Sequence, residues 1–148
     1  MNKSLFQTPI KIRYRPHPKL PKVHWPLLDV KLTYRSISLP QTWDSLVDSG
    51  SNISILHPLI AEAYGFDLKK LPTEVGLSAS GTYNSCILPE PLNVDIYGYT
   101  FRIRFTVINN PHLLWPCILG EDSIFQFARL DFQKFKGYFE VRFRSDNN

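Results

Sequence analysis

Hydrophobic and polar residues alternate in several short stretches of this chain. In residues 28–34, apolar side chains stand at every second position, with polar ones between them. Residues 101–107 repeat the pattern, with two arginines and a threonine between the apolar positions. A period of two is typical of β-strands that bury one face and expose the other. We therefore predict a sheet with one solvated face.

Other apolar stretches predict further strands, and glycines divide some of them into hairpins. Residues 74–88 form one predicted hairpin with Gly81 near its turn, and residues 92–107 form another with Gly98 at its turn. Glycine suits both places because it adopts the positive φ that tight turns need. The remaining predicted strands cover residues 42–47, 115–120, 130–132 and 138–143.

Two stretches carry helix signals instead. Pro58 suits the first position of a helix and Gly65 suits the position after its end. A second short helix is predicted over about residues 122–127. About nine short strands, two short helices and frequent turn signals together predict an all-β, barrel-like domain.

The positive charge of the chain is unevenly distributed. The whole chain has a formal charge of +4, but residues 1–35 carry +7 and residues 36–148 carry −3. Five prolines in residues 1–27 favour an extended conformation there. We predict a basic N-terminal arm (residues 1–27), a folded domain (28–144) and a short tail (145–148). The arm is a solvated or packing segment, or a region that docks on a partner chain or an acidic surface.

Composition excludes several classes of protein. Residues 1–30 contain no apolar stretch long enough for a signal peptide, and no segment approaches the ~20 apolar residues of a membrane helix. We expect a cytoplasmic protein with no membrane partner. Cys86 and Cys117 are expected as buried thiols rather than a disulfide framework. The four histidines are scattered, so we expect no metal site and no cofactor.

One short motif carries candidate chemistry. An apolar strand leads into Asp-Ser-Gly-Ser at residues 48–51, and about seventy residues later a second apolar strand ends in Ile-Leu-Gly at residues 118–120. A hairpin with a small Ala-Ser-Gly tip, residues 79–81, lies between them. This combination resembles the retropepsin-like (retroviral-type) aspartic proteases over residues 28–143. The resemblance implies a closed-barrel-like acid protease fold.

The chemistry of such proteases requires two facing carboxylates that share one proton. The chain has a single Asp-Ser-Gly, so one chain supplies half of an active site. An active enzyme would therefore be a homodimer with two copies of Asp48 on its symmetry axis. By the resemblance, the Ser49 hydroxyl would bond to the partner loop, and Gly50 would let the two loops approach.

The hairpin of residues 74–88 is the predicted flap over a polypeptide substrate. The predicted substrate-binding residues belong to the Asp loop, the flap tip and the second apolar strand: Ser51, Asn52, Ile55, Ala79, Ser80, Gly81 and Ile118. Viral proteases of this type commonly have an acid where Asn52 stands and an arginine where Glu121 stands. The ion pair behind the loop is thus missing, and a contact of Asn52 with Glu121 or with substrate would have to replace it.

Three functional hypotheses follow from the sequence. The first is an aspartic endopeptidase that is active as a homodimer. The second, suggested by Asn52 and Glu121, is a weakly active or inactive protease-like module for binding or dimerisation. The third makes the basic arm a nucleic-acid-binding element. We do not expect a nucleic-acid partner, because no stacking module or base-reading motif is present.

Overall fold

A computed structural model describes residues 5–146, so residues 1–4 of the predicted arm and 147–148 of the predicted tail lie outside the described residues. Strands dominate this part of the chain, which confirms the predicted all-β class. The fifteen strands there are β1 (Ile10–Arg13), β2 (Arg15–His17), β3 (Leu20–Trp25), β4 (Leu27–Tyr34), β5 (Ile37–Ser38), β6 (Trp43–Val47), β7 (Ile55–Leu56), β8 (Glu74–Ser78), β9 (Gly81–Ile87), β10 (Leu92–Ile96), β11 (Tyr99–Ile103), β12 (Thr106–Ile108), β13 (Cys117–Leu119), β14 (Ala128–Gln133) and β15 (Tyr138–Phe143). The helices are α1 (Pro58–Ala63) and α2 (Ile124–Phe127), with two 3-10 helices at Leu68–Lys70 and Lys134–Lys136.

Most strands belong to one ten-stranded sheet. Its order is β11-β10-β4-β6-β13-β7-β12-β9-β8, with β5 paired to β4. The interior strand β4 shows how the alternating pattern directs apolar side chains into the core and polar side chains to solvent. Val30 and Leu32 are fully buried, whereas Lys31 between them is exposed. Burial of such side chains on one face of the sheet supplies the main stabilisation of the domain.

Helix α1 forms where its sequence signals predicted it. Pro58 occupies the first turn, and the side chain of His57 accepts a hydrogen bond from the Leu59 N–H. Gly65 follows the helix at a φ of +91°, a conformation that few other residues adopt. The fully buried Tyr64 donates a hydrogen bond from its hydroxyl to the Leu32 carbonyl, 3.0 Å away, and so joins the end of the helix to β4.

The strand predicted over residues 101–107 is divided into β11 and β12. β11 pairs with β10, whereas β12 pairs with β9 and β7. Burial alternates as far as Arg104, which is exposed, and Phe105, which is fully buried, but Thr106 and Val107 in β12 are both buried. The alternating sequence of residues 101–107 therefore gave no sign that the partner strands change. Short strands of this kind raise the number of strands in the described residues above the predicted nine.

The predicted arm is extended, as its prolines indicated. Strand β1 pairs with β15 in a separate sheet of order β1-β15-β14, and Ile12 on β1 is buried in the core. Strands β2 and β3 form a hairpin held to the domain by Arg15, which lies 3.0 Å from Asp29 and 3.3 Å from Asp44. The division between residues 27 and 28 falls inside β4 and stays a prediction.

Candidate active site

The candidate site begins at the end of β6, where the chain turns at residues 48–51. The backbone N–H of Asp48 donates to the Leu119 carbonyl at 3.0 Å. One carboxylate oxygen of Asp48 accepts the Gly50 N–H at 2.9 Å, and the Ser51 N–H donates to the Asp48 carbonyl at 3.2 Å. Within residues 5–146, no other group hydrogen-bonds to this carboxylate. The loop therefore orients a partly exposed acid whose second oxygen has no hydrogen-bond partner in the described part of the chain.

The second glycine motif supports this loop from behind. β13 lies between β6 and β7, parallel to β6, with Leu119 opposite Val47. A Cβ on Gly120 would stand 2.3 Å from the Ile53 carbonyl oxygen and 2.6 Å from that of Ser51. The Glu121 N–H donates to the same Ser51 carbonyl at 2.8 Å. Glycine at residue 120 thus allows the two loops to pack directly backbone to backbone.

A buried hydroxyl network ties the two loops together. The Ser54 hydroxyl donates to the Asp122 carboxylate at 2.6 Å and accepts the Gly120 N–H at 3.1 Å. The Ser123 hydroxyl lies 2.5 Å from the Ser54 hydroxyl, and both serines are fully buried. The structure shows this network behind the Asp loop, and no Asn52–Glu121 hydrogen bond occurs in the described part of the chain. Sequence reasoning missed the network because its members are more than sixty residues apart.

A cleft of about 650 Å³ opens beside Asp48. Of the residues predicted to act in catalysis or binding, six line it: Asp48, Gly50, Ser51, Asn52, Ile55 and Ala79. The other four, Ser49, Ser80, Gly81 and Ile118, do not line it. Ile118 is buried against Ile55 in the apolar cluster beneath the site. Tyr83, for which the sequence favoured neither substrate contact nor packing, also lines the cleft, and the lining residues that were not predicted are Ile53, Leu77, Ser78, Ile108, Asn110 and Leu113.

The predicted flap is a regular hairpin over one side of this cleft. β8 and β9 pair from Glu74 opposite Ser85 to Ser78 opposite Gly81, where φ is +122°. Leu77 is 82% exposed although it is apolar, and it lines the cleft. The sequence signal that could have identified Leu77 is an apolar side chain two positions before the small tip of the hairpin. Gly76 leaves room for Tyr83, whose ring would lie 2.3 Å from a Cβ at that position.

The hairpin of the arm packs near the base of the site. The rings of His17 and Trp25 meet the Trp115 ring edge to face, at centroid distances of 5.1 and 5.3 Å. Trp115 belongs to the apolar cluster that also contains Ile55 and Ile118. This part of the arm therefore contributes to the support of the cleft, a contribution that its basic, proline-rich sequence did not indicate.

The thiols do not offer an alternative nucleophile. Cys86 and Cys117 are both buried and unpaired, as predicted. Burial raises the pKa of the Cys117 thiol to about 12 and also raises the pKa of Cys86. A thiol held neutral in this way is a poor nucleophile at physiological pH. Residues 5–146 hold no cluster of three or more metal-binding side chains and no helix long and apolar enough to span a membrane.

Solved structures with a similar fold are retropepsin-like aspartic proteases. A crystal structure of a retropepsin-like aspartic protease from Rickettsia conorii covers 97% of this chain and 98% of its own, with 18% identity and a TM-score of 0.63. The retroviral protease-like domain of Ddi1 from Leishmania major covers 83% of this chain and 98% of its own, with 20% identity and a TM-score of 0.51. The EIAV protease in complex with the inhibitor HBY-793 covers 69% and 86%, with 18% identity and a TM-score of 0.48.

No protein-family model matches the chain, and no curated protein sequence matches it. The similarity therefore lies in the fold, which is that of the retropepsin-like aspartic proteases. This confirms the all-β acid protease fold expected from the two glycine motifs and the hairpin between them.

Proposed function

We propose that this protein is an aspartic endopeptidase that is active as a homodimer. The observation that carries the proposal is the position of Asp48, whose carboxylate lies at the edge of a 650 Å³ cleft beside a hairpin. The retropepsin-like fold supports the same reaction class, since proteins of that fold include aspartic proteases.

Each chain contributes one Asp-Ser-Gly loop, so the reaction needs two copies of Asp48. Like charges about 3 Å apart cannot both ionise cheaply, and the pair therefore shares a proton. The ionised member takes a proton from a water molecule, which attacks the carbonyl carbon of the peptide bond. The protonated member donates to the carbonyl oxygen, and a proton later reaches the leaving nitrogen. The pair titrates as a unit, so neither aspartate has a fixed role before substrate binds.

The chain's own hydrogen bonds supply the rigidity that such a pair requires. The Gly50 N–H holds one oxygen of Asp48, and the Ser54 network holds the loop behind it. The Ser54 and Ser123 hydroxyls thus support the loop from within the domain, without an ion pair at residues 52 and 121. The Asp48 carboxylate is thus held in place although no ion pair joins residues 52 and 121. This favours a catalytic role for the loop over the alternative of an inactive binding module.

Substrate is proposed to bind as an extended polypeptide between the Asp loop and the hairpin. Extended peptides add to exposed strands through backbone hydrogen bonds, and pockets select alternate side chains. Leu77 on the hairpin, with Ile108 and Leu113 elsewhere in the lining, makes part of the cleft wall apolar. Apolar side chains of the substrate are the matching chemistry.

The test is Asp48→Asn, measured as hydrolysis of a denatured-protein library from about pH 3 to pH 8. The change preserves the shape of the side chain and removes the shared proton, so hydrolysis should fall at least about a thousand-fold. Asp44→Asn is the matched control, since Asp44 lies on β6, the strand that leads to Asp48, and pairs with Arg15 outside the cleft. Equal rates for parent and Asp48→Asn, or no hydrolysis by a parent sample of dimeric mass, would refute the proposal.

A further inference from the structure

Two basic concavities adjoin each other on the surface and share no residue with the cleft beside Asp48. The larger has a volume of about 410 Å³ and is lined by Tyr14, Lys22, Val23, His24, Lys134 and Gly137. The smaller has a volume of about 300 Å³ and is lined by Lys11, Arg13, Lys136, Gly137 and Tyr138. These linings, which we call the basic surface, contain five Lys or Arg side chains and neither Asp nor Glu.

The basic surface is assembled from the arm and from the C-terminal part of the chain. Strand β1 pairs with β15, and just beyond it the Tyr14 N–H donates to the Gly137 carbonyl at 3.0 Å. The Lys134 ammonium donates to the His24 carbonyl, which joins the 3-10 helix at Lys134–Lys136 to β3. Side chains about 110 residues apart in the sequence therefore meet on one surface.

The charges of the basic surface are not neutralised by the described part of the chain. None of its five cations forms an ion pair within residues 5–146. Glu140 stands opposite Lys11 on the neighbouring strand, but it is paired with Arg142 at 3.4 Å and lines neither concavity. Because cations gathered without acids between them create a positive potential, the surface is suited to an anionic ligand.

An exposed aromatic ring stands among these cations. Phe135 is 84% exposed at the centre of the 3-10 helix, and the Lys136 ammonium lies 5.5 Å from the centroid of its ring. The rings of Tyr14 and Tyr138 are each covered by a lysine, at 4.3 and 3.9 Å, and so hold cations in place. An exposed ring beside unpaired cations is the combination that stacks a nucleic-acid base and binds its phosphate.

This combination favours one class of anionic partner over others. A single nucleic-acid strand offers repeated phosphates to the cations and an unstacked base to Phe135. An acidic peptide supplies the charges without a planar base, and a duplex keeps its bases stacked on one another. A membrane presents its phosphates in a plane, whereas these cations line two concavities.

We propose that the basic surface binds single-stranded nucleic acid, with a base stacked on Phe135 and phosphates bound by Lys11, Arg13, Lys22 and Lys136. Binding of this kind depends on backbone charge and stacking, so it needs no base-reading motif. From the sequence alone we expected no nucleic-acid partner, because the ring and the cations become neighbours only in the folded chain. The inference goes beyond the proposed protease and does not rest on it, since the basic surface lies outside the cleft.

The test is the fluorescence anisotropy of a labelled oligo(dT) of about 12 nucleotides, titrated with the full chain. Lys136→Glu should weaken binding at least about ten-fold, and so should Phe135→Ala. For four bound phosphates, the affinity of the parent should fall about fifty-fold between about 50 mM and about 200 mM salt. Lys136→Glu should make this salt dependence shallower, whereas Phe135→Ala should leave it unchanged, because stacking releases no counterions.

Two matched controls separate the basic surface from general charge and hydrophobicity. Lys69→Glu makes the same charge change as Lys136→Glu, at an exposed lysine of the other 3-10 helix, Leu68–Lys70. Leu59→Ala removes an apolar side chain that is 63% exposed on α1. Both controls should bind oligo(dT) as tightly as the parent. Phe135 and Lys136 are exposed, so their variants should keep the melting temperature of the parent.

The outcomes decide between this partner and the others. Affinity that requires Phe135 and Lys136, and neither control residue, would support the proposal. No binding at about 100 μM of chain in about 50 mM salt would overturn it, as would equal losses for Lys69→Glu and Lys136→Glu. Polyglutamate or phosphatidylserine vesicles that bind as tightly as oligo(dT), with the same dependence on Phe135, would also overturn it and would assign the surface to an acidic peptide or a membrane.

Discussion

The alpha carbon of Gly120 is in such close contact with the Ile53 carbonyl that a Cβ would lie 2.3 Å from its oxygen. This contact joins the end of β13 to the loop that carries Asp48, which is also bonded to Leu119. Space for a side chain at residue 120 would have to come from backbone movement at the candidate site.

Gly120→Ala should destabilise the fold and disturb the Asp48 loop. Forcing a methyl group against two carbonyl oxygens should cost about 3 kcal/mol of the free energy of unfolding. Urea denaturation measures this cost. Gly98→Ala is the control, because residue 98 has a φ of +86° but open space around it, and strain alone should cost about 1 kcal/mol. Similar losses for the two variants would contradict the predicted clash.

Ser54→Ala should weaken the network behind the loop. It removes the acceptor of the Gly120 N–H and the donor to Asp122, and it leaves a buried N–H without a partner. The expected loss is about 1 to 3 kcal/mol of the free energy of unfolding. Ser80→Ala, at an exposed serine of the hairpin tip, provides the comparison and should change stability little. An unchanged denaturation midpoint for Ser54→Ala would show that the network contributes nothing.

Leu77→Ala should weaken peptide binding without affecting stability. The side chain is 82% exposed and lines the cleft, so its loss removes contact with substrate rather than with the core. KM for a peptide with apolar side chains should rise about ten-fold, while the melting temperature stays the same. Val75→Ala is the matched control, since Val75 is 72% exposed on the same strand but does not line the cleft. Equal KM values for the two variants would exclude the role of Leu77.

Cys117 should make the protein less stable at high pH. Burial raises the pKa of its thiol to about 12, above the ordinary value of 9.0, so the folded state retains a proton that the unfolded state loses. The stabilisation is therefore complete below pH 9 and is lost between pH 9 and about 12, by about 1.4 kcal/mol per pH unit. Urea midpoints at pH 8 and pH 10 measure the loss. Cys117→Ala should show a smaller decline than the parent, and an equal decline would assign the effect to other groups.

Much of the fold was accessible from the sequence because local patterns match local structure. The alternating residues 28–34 form most of β4. Pro58 and Gly65 mark the two ends of α1, and Gly81 ends the turn of the hairpin. The Asp-Ser-Gly loop and the second glycine motif were also visible, since each is a short continuous segment. Their meeting in space followed from resemblance alone.

The remainder depended on contacts between distant residues. Ser54 and Asp122 have no common pattern in the sequence, and they meet because β7 and β13 are neighbours in the sheet. Ile118 is buried in one cluster with Trp115 rather than exposed in the cleft, and the arm's Trp25 packs against the same cluster.

By itself, the sequence determined that this is an all-β chain with one acidic turn, because strand periodicity and turn chemistry are local properties. It also determined that the chain has a single Asp-Ser-Gly, which is half of what the proposed two-carboxylate site requires. Only the tertiary structure decided which residues surround Asp48 and which strands stand at the edges of the sheets. Cleft walls and open edges are properties of how strands are arranged in space, which alternation along the chain does not encode.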